Sequence, residues 1–257
     1  MNPSPASKIA VLDSGIGGTT TLREIRKLLK SENFLYFGDS KNCPYGEKTD
    51  AELLKLSRNN VERLLKENIK ILVVACNTLT TRVLAPLRKE FPELIFVGTE
   101  PAIKPALESG AKKIVILSTP ATARSLEENQ LKSLNYSKTI SSSPQSTPTS
   151  PSAPLEILNL PCPTLAAAIE SRDNRLIDET LATLLGDIKK ETRAFVESVV
   201  LGCTHYPIIK EKIKSYFPNA ELVDGNAAIA RRVKDILEQK NLLNQNPASG
   251  VVEYIYT

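Results

Sequence analysis

Two cysteines, 127 residues apart, sit in the same kind of place. Cys76 follows the apolar run Ile71-Leu72-Val73-Val74-Ala75 and precedes Asn77-Thr78. Cys203 follows Ser198-Val199-Val200-Leu201-Gly202 and precedes Thr204-His205-Tyr206-Pro207. Each β-branched run reads as a strand that delivers a thiol to the mouth of a polar turn. Open α/β sheets place their chemistry there, at the carboxyl ends of strands. A thiolate is a base as well as a nucleophile, and a free cysteine titrates near ~8.5. Two thiols mounted alike suggest a site with one cysteine on each side of a substrate. Asn77, Thr78, Thr204 and His205 could donate hydrogen bonds to a carboxylate, as could backbone N–H groups at a following helix N-terminus.

Around these thiols stand two groups able to move or tune a proton. His205 is the only histidine and lies two residues past Cys203. Asp13 opens the run Asp13-Ser14-Gly15-Ile16-Gly17-Gly18, where it serves either as a partner for a thiol or as a helix cap. A dinucleotide reading of that run stays open as a lesser alternative: its third glycine would fall at Thr20, although Asp39 lies where a ribose-binding acid could sit. Asp13 would also set negative charge beside a pyrophosphate. A zinc site lacks support, since Cys203 and His205 are too close for finger spacing and no Cys-x-x-Cys pair exists. Cys43, in the loop with Pro44-Tyr45-Gly46, and Cys162, between Pro161 and Pro163, lack comparable frames and read as non-catalytic.

The elements that must position these residues alternate between strand and helix, the mark of an α/β fold. Strands are expected over 8–12, 34–37, 71–75, 95–97, 113–117, 156–160 and 198–201, with an edge strand over 251–256. Helices are expected over 19–30, from a Thr49 cap with Glu52 in the capping-box position to about Glu67, after Thr80, around Leu126, Gln130 and Leu134, over 164–192 and over 227–239. Residues 139–154 hold 13 Ser, Thr or Pro in 16 and read as a mobile surface loop. A faint repeat relates the halves. A strand ending in Asp13-Ser14 precedes the Cys76 strand, and one ending in Ser118-Thr119 precedes the Cys203 strand, at separations of 63 and 84 residues. Two related α/β halves, with a small-molecule site in a cleft between them, are the expectation.

At 257 residues, 41% hydrophobic and 24% charged, the chain is in the range of soluble globular proteins. No apolar run approaches the ~20 residues that span a membrane. The opening Met1-Asn2-Pro3-Ser4-Pro5-Ala6-Ser7 has no basic region leading into an apolar one, so no secretory signal is expected. Four cysteines without a disulfide-type pattern point to a reducing, cytoplasmic setting. The net charge of +4 is spread thinly, there is no Trp, and neither feature suits a nucleic-acid surface.

Five motifs taken in order, Asp13-Ser14-Gly15-Ile16-Gly17-Gly18, Tyr36-Phe37-Gly38-Asp39, Pro44-Tyr45-Gly46, Ala75-Cys76-Asn77-Thr78 and Gly202-Cys203-Thr204-His205-Tyr206-Pro207, resemble those of the glutamate racemases, in the aspartate/glutamate racemase family. The resemblance implies two pseudo-symmetric α/β domains, 1–98 with 209–257 and 99–208, with the active site between them. It implies interconversion of L- and D-glutamate for peptidoglycan without a cofactor or a metal, and a homodimer. Cys76 would handle D-glutamate with help from Asp13, and Cys203 L-glutamate with help from His205. Ser14, Tyr45, Gly46, Asn77, Thr78, Thr204 and His205 match substrate-contacting positions, and Thr119 and Thr122 would line the site. Departures are Ser40-Lys41-Asn42-Cys43, Asp224-Gly225-Asn226 and the 139–154 loop. The competing readings are a racemase of aspartate or another acidic amino acid, and a catalytically dead binding protein, for instance one that modulates DNA topology. His205 favours glutamate, because typical aspartate racemases carry a Glu at that position.

Overall fold

Strand β1 (Lys8–Asp13) is buried from Ile9 onward and reads as a continuous apolar run because helices cover both of its faces. A computed structural model of the chain describes residues 3–140, 154–246 and 250–257. The chain divides into two compact units, Met1–Glu100 with Gly225–Thr257, and Pro101–Asp224. The Ser/Thr/Pro-rich segment 139–154, expected as a mobile loop, lies outside the described residues except for its ends.

The first unit continues with α1 (Thr19–Leu28), β2 (Phe34–Gly38), α2 (Asp50–Leu65), β3 (Ile69–Val74), α3 (Asn77–Glu90) and β4 (Phe96–Gly98). The second holds α4 (Ile103–Glu108), β5 (Lys113–Ser118), α5 (Pro120–Ser125), β6 (Glu156–Pro161), α6 (Leu165–Glu170), α7 (Asn174–Gly186), α8 (Lys190–Ala194), β7 (Ser198–Gly202), α9 (Lys210–Tyr216) and β8 (Glu221–Val223). The chain then returns to the first unit as α10 (Asn226–Gln239) and β9 (Val252–Tyr256).

Both sheets are parallel throughout, in the orders β4-β3-β1-β2-β9 and β6-β5-β7-β8. Read from the other side, the second order is β8-β7-β5-β6, which matches β4-β3-β1-β2 strand for strand. The register matches as well. Leu12 faces Val74 and Phe37, and Leu117 faces Leu201 and Leu160. Cys76 and Cys203 therefore occupy one position in two copies of one frame, each two residues beyond the equivalent pair.

Alternation along β1 splits the first core into two layers. Ile9 and Val11 join Leu22 and Ile25 of α1 and Val233 and Leu237 of α10. Ala10 and Leu12 join Val61 and Leu64 of α2 and Leu79 and Val83 of α3. In the second unit, Val115 and Leu117 pack with α6, α7 and α9, while Ile114 and Ile116 pack with α4 and Leu126.

Several boundaries differ from the sequence expectation. Residues 209–224, assigned there to the first domain, belong to the second unit, since β8 pairs with β7 and Ile213 of α9 enters its core. Helix α3 begins at Asn77 rather than after Thr80, because Cys76 itself is the N-cap residue. The helix expected around Leu126 to Leu134 is shorter: α5 passes into one π-helical turn over Leu126–Gln130 and stops before Leu134. The stretch 164–192 is three helices, broken at Arg172, whose φ is +60°, and restarted by an Asp173 cap on α7. The Thr49–Glu52 capping box is formed in full.

One ion pair lies in the interior of the first unit. Lys70 Nζ donates to Glu32 and to the carbonyls of Pro5, at 2.6 Å, and Leu242, at 2.8 Å. Glu32 Oε1 accepts the Asn244 N–H at 2.8 Å. Burial lowers the pKa of Lys70, and its contact with Glu32 opposes that shift. Removing one partner leaves an uncompensated buried charge, so Lys70→Met is expected to cost about 3–5 kcal/mol. Urea denaturation followed by circular dichroism measures it. Pairing the change with Glu32→Leu should recover most of the loss, because the second charge then goes too.

Candidate active site

The carboxyl ends of β1, β2 and β3 are adjacent, and they deliver Asp13, Asp39 and Cys76 to one edge of the first sheet. Asp13 is fully buried and accepts the Gly15 N–H at 3.2 Å. Gly18 has to be glycine here, because a Cβ would lie 2.7 Å from Cβ of Asp13. Ser14 is buried beside it. Cys76 is buried at the N-cap of α3, where aligned peptide dipoles favour negative charge. Asn77 and Thr78 form the first turn of that helix and are buried. The Asn77 Oδ1 is buried and accepts no hydrogen bond from any described residue. An orphaned acceptor of this kind suits a donor on a ligand, such as an ammonium group.

Tyr45 is buried, and its hydroxyl donates to Asp39 Oδ2. Burial, and then the Asp39 carboxylate beside it, push this hydroxyl far above the ordinary tyrosine range. The Tyr45 side chain is thus a fixed support rather than a free donor, and polar contact with a ligand from Tyr45-Gly46 falls to the main chain. Asp39 also accepts from Asn60, at 3.2 Å, Asn42, at 2.8 Å, and Thr257, at 2.7 Å. Burial alone would raise the Asp39 pKa, but these four donors outweigh it and hold the carboxyl below its ordinary 3.8. The stabilisation this confers is present above that value and is lost as pH falls through the lower folded one.

In the second unit, β5, β6 and β7 end side by side at Thr119, Cys162 and Cys203. A Cβ on Gly202 would lie 2.8 Å from the Leu117 carbonyl, so a glycine is needed to bring the chain into Cys203. Cys203 Sγ lies 3.8 Å from His205 Nδ1, and His205 Nε2 lies 2.7 Å from Glu170 Oε2. With Glu170 accepting from Nε2–H, the Nδ1 lone pair faces the sulfur. Glu170 closes α6, and no motif in the sequence marks it out. Thr119 caps α5 and accepts from the Thr122 N–H at 3.3 Å, while its own hydroxyl donates to Thr122 Oγ1 at 3.0 Å. Thr204 is buried next to the thiol.

The frame separates Cys162 from these two. Cys162, at the register position of Asp39, is buried, and that burial pushes its thiol up to about 12. It stays protonated and cannot serve as a base near neutral pH. All four cysteines are thiols rather than disulfides.

Residues 35–233 match the Asp/Glu/hydantoin racemase family. The chain is 38% identical over 250 residues to a glutamate racemase of Clostridium acetobutylicum, covering 95% of this chain and 90% of that protein. Its structure is similar to that of glutamate racemase from Thermus thermophilus in complex with β-chloro-D-alanine, with a TM-score of 0.73, 29% identity, and coverage of 99% of this chain and 89% of that one. It is also similar to Escherichia coli glutamate racemase in complex with L-glutamate and the activator UDP-MurNAc-Ala, with a TM-score of 0.71, 27% identity, and coverage of 96% and 89%. Among the described residues no helix is long and apolar enough to cross a membrane.

Proposed function

We propose, from the premise that this chain belongs to the Asp/Glu/hydantoin racemase family, that it interconverts L- and D-glutamate by a two-thiol mechanism. The observation that carries the mechanism is the register equivalence of Cys76 and Cys203. Each unit supplies one thiol, and each thiol has its own polar support.

Starting from L-glutamate, the Cys203 thiolate removes the α-proton, and the electron pair left behind delocalises into the carboxylate. Cys76, as a thiol, gives its proton to the opposite face and is left as the thiolate. From D-glutamate the roles reverse. The α-proton is weakly acidic, so the carbanion needs donors already in place. Ser14, Asn77, Thr78 and Thr204, with the main chain of Tyr45-Gly46, fill that role, and Thr119 and Thr122 line the site. Asn77 Oδ1 takes the ammonium. Asp13 supports Cys76, and His205, oriented by Glu170, takes up and returns the Cys203 proton. These residues hold and move every proton the reaction needs, and we propose that no cofactor or metal takes part.

The product serves peptidoglycan synthesis in the cytoplasm, where thiols stay reduced. The enzyme acts as a homodimer, an assembly taken from the family resemblance. Circular-dichroism turnover of L- and D-glutamate without added cofactor, with L- and D-aspartate in parallel, tests the reading. Glutamate turnover with little on aspartate is expected, and the reverse preference would replace glutamate with aspartate as substrate. Glu170→Ala should lower kcat/KM about tenfold, because His205 loses its fixed tautomer and orientation. The same assay measures it, and unchanged kinetics would remove Glu170 from the scheme.

A further inference from the structure

Among the described residues the second sheet has four strands, and where β2 carries β9 the outer edge of β6 carries an isolated parallel bridge, Ser137 to Glu156. Strand β9 lies parallel to β2 with Tyr256 facing Gly38, so the next residue on each strand, Thr257 and Asp39, come together. Thr257 Oγ1 donates to Asp39 Oδ1 at 2.7 Å and accepts the Lys41 N–H at 3.2 Å, while the Thr257 N–H donates to the Gly38 carbonyl at 3.2 Å. Asp39 is the junction of this corner. Its N–H donates to the Asp13 carbonyl at 3.0 Å, and its carboxylate receives Tyr45, Asn60, Asn42 and Thr257. Tyr45 in turn packs in the same apolar cluster as Cys76. At the equivalent position of the second unit stands Cys162, a thiol in place of the carboxylate.

We propose that Thr257 is a positioning residue for the racemase reaction, acting through Asp39 to hold the segment 42–47 in place beside Cys76. The inference rests on the role given above to Cys76 and to the main chain of Tyr45-Gly46. Without the Thr257 hydroxyl, Asn42 is the side-chain donor that remains on Oδ1 of this buried carboxylate among the described residues, and the corner that fixes segment 42–47 relaxes. A substrate-binding loop that loosens weakens substrate binding, whereas a fold that loosens lowers the fraction of active molecules. The two leave different kinetic marks.

Thr257→Val removes the hydroxyl and keeps the shape and the main-chain bond, and Thr257→Ser keeps the hydroxyl. For the Val variant, KM for glutamate should rise about tenfold with kcat within about twofold of wild type, and the Ser variant should restore KM. The equilibrium constant between enantiomers is unity, so kcat/KM must fall by the same factor in both directions. Amide hydrogen exchange on the full chain gives a second reading that needs no substrate. Exchange at Asn42, Cys43 and Lys48, whose N–H groups close turns in this segment, should quicken in the Val variant and not in the Ser variant. An unchanged KM, equal damage in both variants, or unaltered exchange would overturn the proposal. If the wild-type chain fails to turn over glutamate, the substrate assignment fails, and the exchange rates alone then decide whether Thr257 holds this segment.

Discussion

Cys76→Ala and Cys203→Ala are each expected to lower racemisation by about a thousandfold or more, while Cys43→Ala and Cys162→Ala should leave most of it. Each face of the α-carbon needs its own proton acceptor and donor, and alanine offers neither. The magnitude follows from general acid–base catalysis, where one positioned group contributes roughly 10²–10⁴-fold, and here the same group is needed in both directions. The folds should survive, since each thiol ends a strand whose apolar residues are untouched, and truncating a small side chain costs little beside loss of a core residue. Circular-dichroism turnover with both enantiomers, alongside thermal melts, separates activity from stability. Near-wild-type racemisation by either variant would sink the two-base scheme. Loss of activity in Cys162→Ala would contradict the assignment of that buried, protonated thiol as structural.

In D2O, D-glutamate formed from L-glutamate should carry close to one solvent deuterium at the α-carbon, while L-glutamate recovered early should carry little. In the proposed scheme Cys203 takes the substrate proton and can return it to the same face without exchange, whereas Cys76 gives a different proton, one equilibrated with solvent. Run from D-glutamate, the pattern should invert, with deuterium in the L product and little in the recovered D substrate. The prediction depends on two supports that do not share a proton: Cys203 with His205 and Glu170, and Cys76 at the cap of α3. Proton NMR of the α-hydrogen at low conversion reads it directly. A single base serving both faces would carry substrate hydrogen into the product, and that result would rule out this arrangement even in a working racemase.

The thiols were legible because two signals coincide at each of them, an apolar run buried on both faces and an abrupt change to polar residues. Glu170 was not legible. It closes a short helix and is brought to His205 by folding, so its meaning appears only with the 2.7 Å contact. Asp39 was visible as the end of a motif, but its part as a hub depends on Thr257, some 218 residues away in the chain. The repeat was faint in sequence because equivalent positions carry unlike residues, Asp13 against Ser118 and Asp39 against Cys162, while the pairing register is the same. The misplaced boundary at 209 has a similar cause. Strand β8 is three residues long, too short to announce itself, and it holds α9 in the second unit by pairing with β7.

The interrupted path of the first unit sets an order of assembly. Its strand β9, one of the two helices that cover one face of its sheet and the carbonyl of Leu242 that seals Lys70 all come after residue 224. The second unit is a single stretch. On a ribosome, where the chain emerges from its N-terminus, the part made in the middle therefore has all of its own strands before the part begun first has its last. Until α10 arrives, Ile9, Val11, Leu22 and Ile25 lack the apolar side chains that complete their layer. Their own side chains stay exposed on the nascent chain until then, and exposed apolar surface of this kind is what draws unfinished chains together.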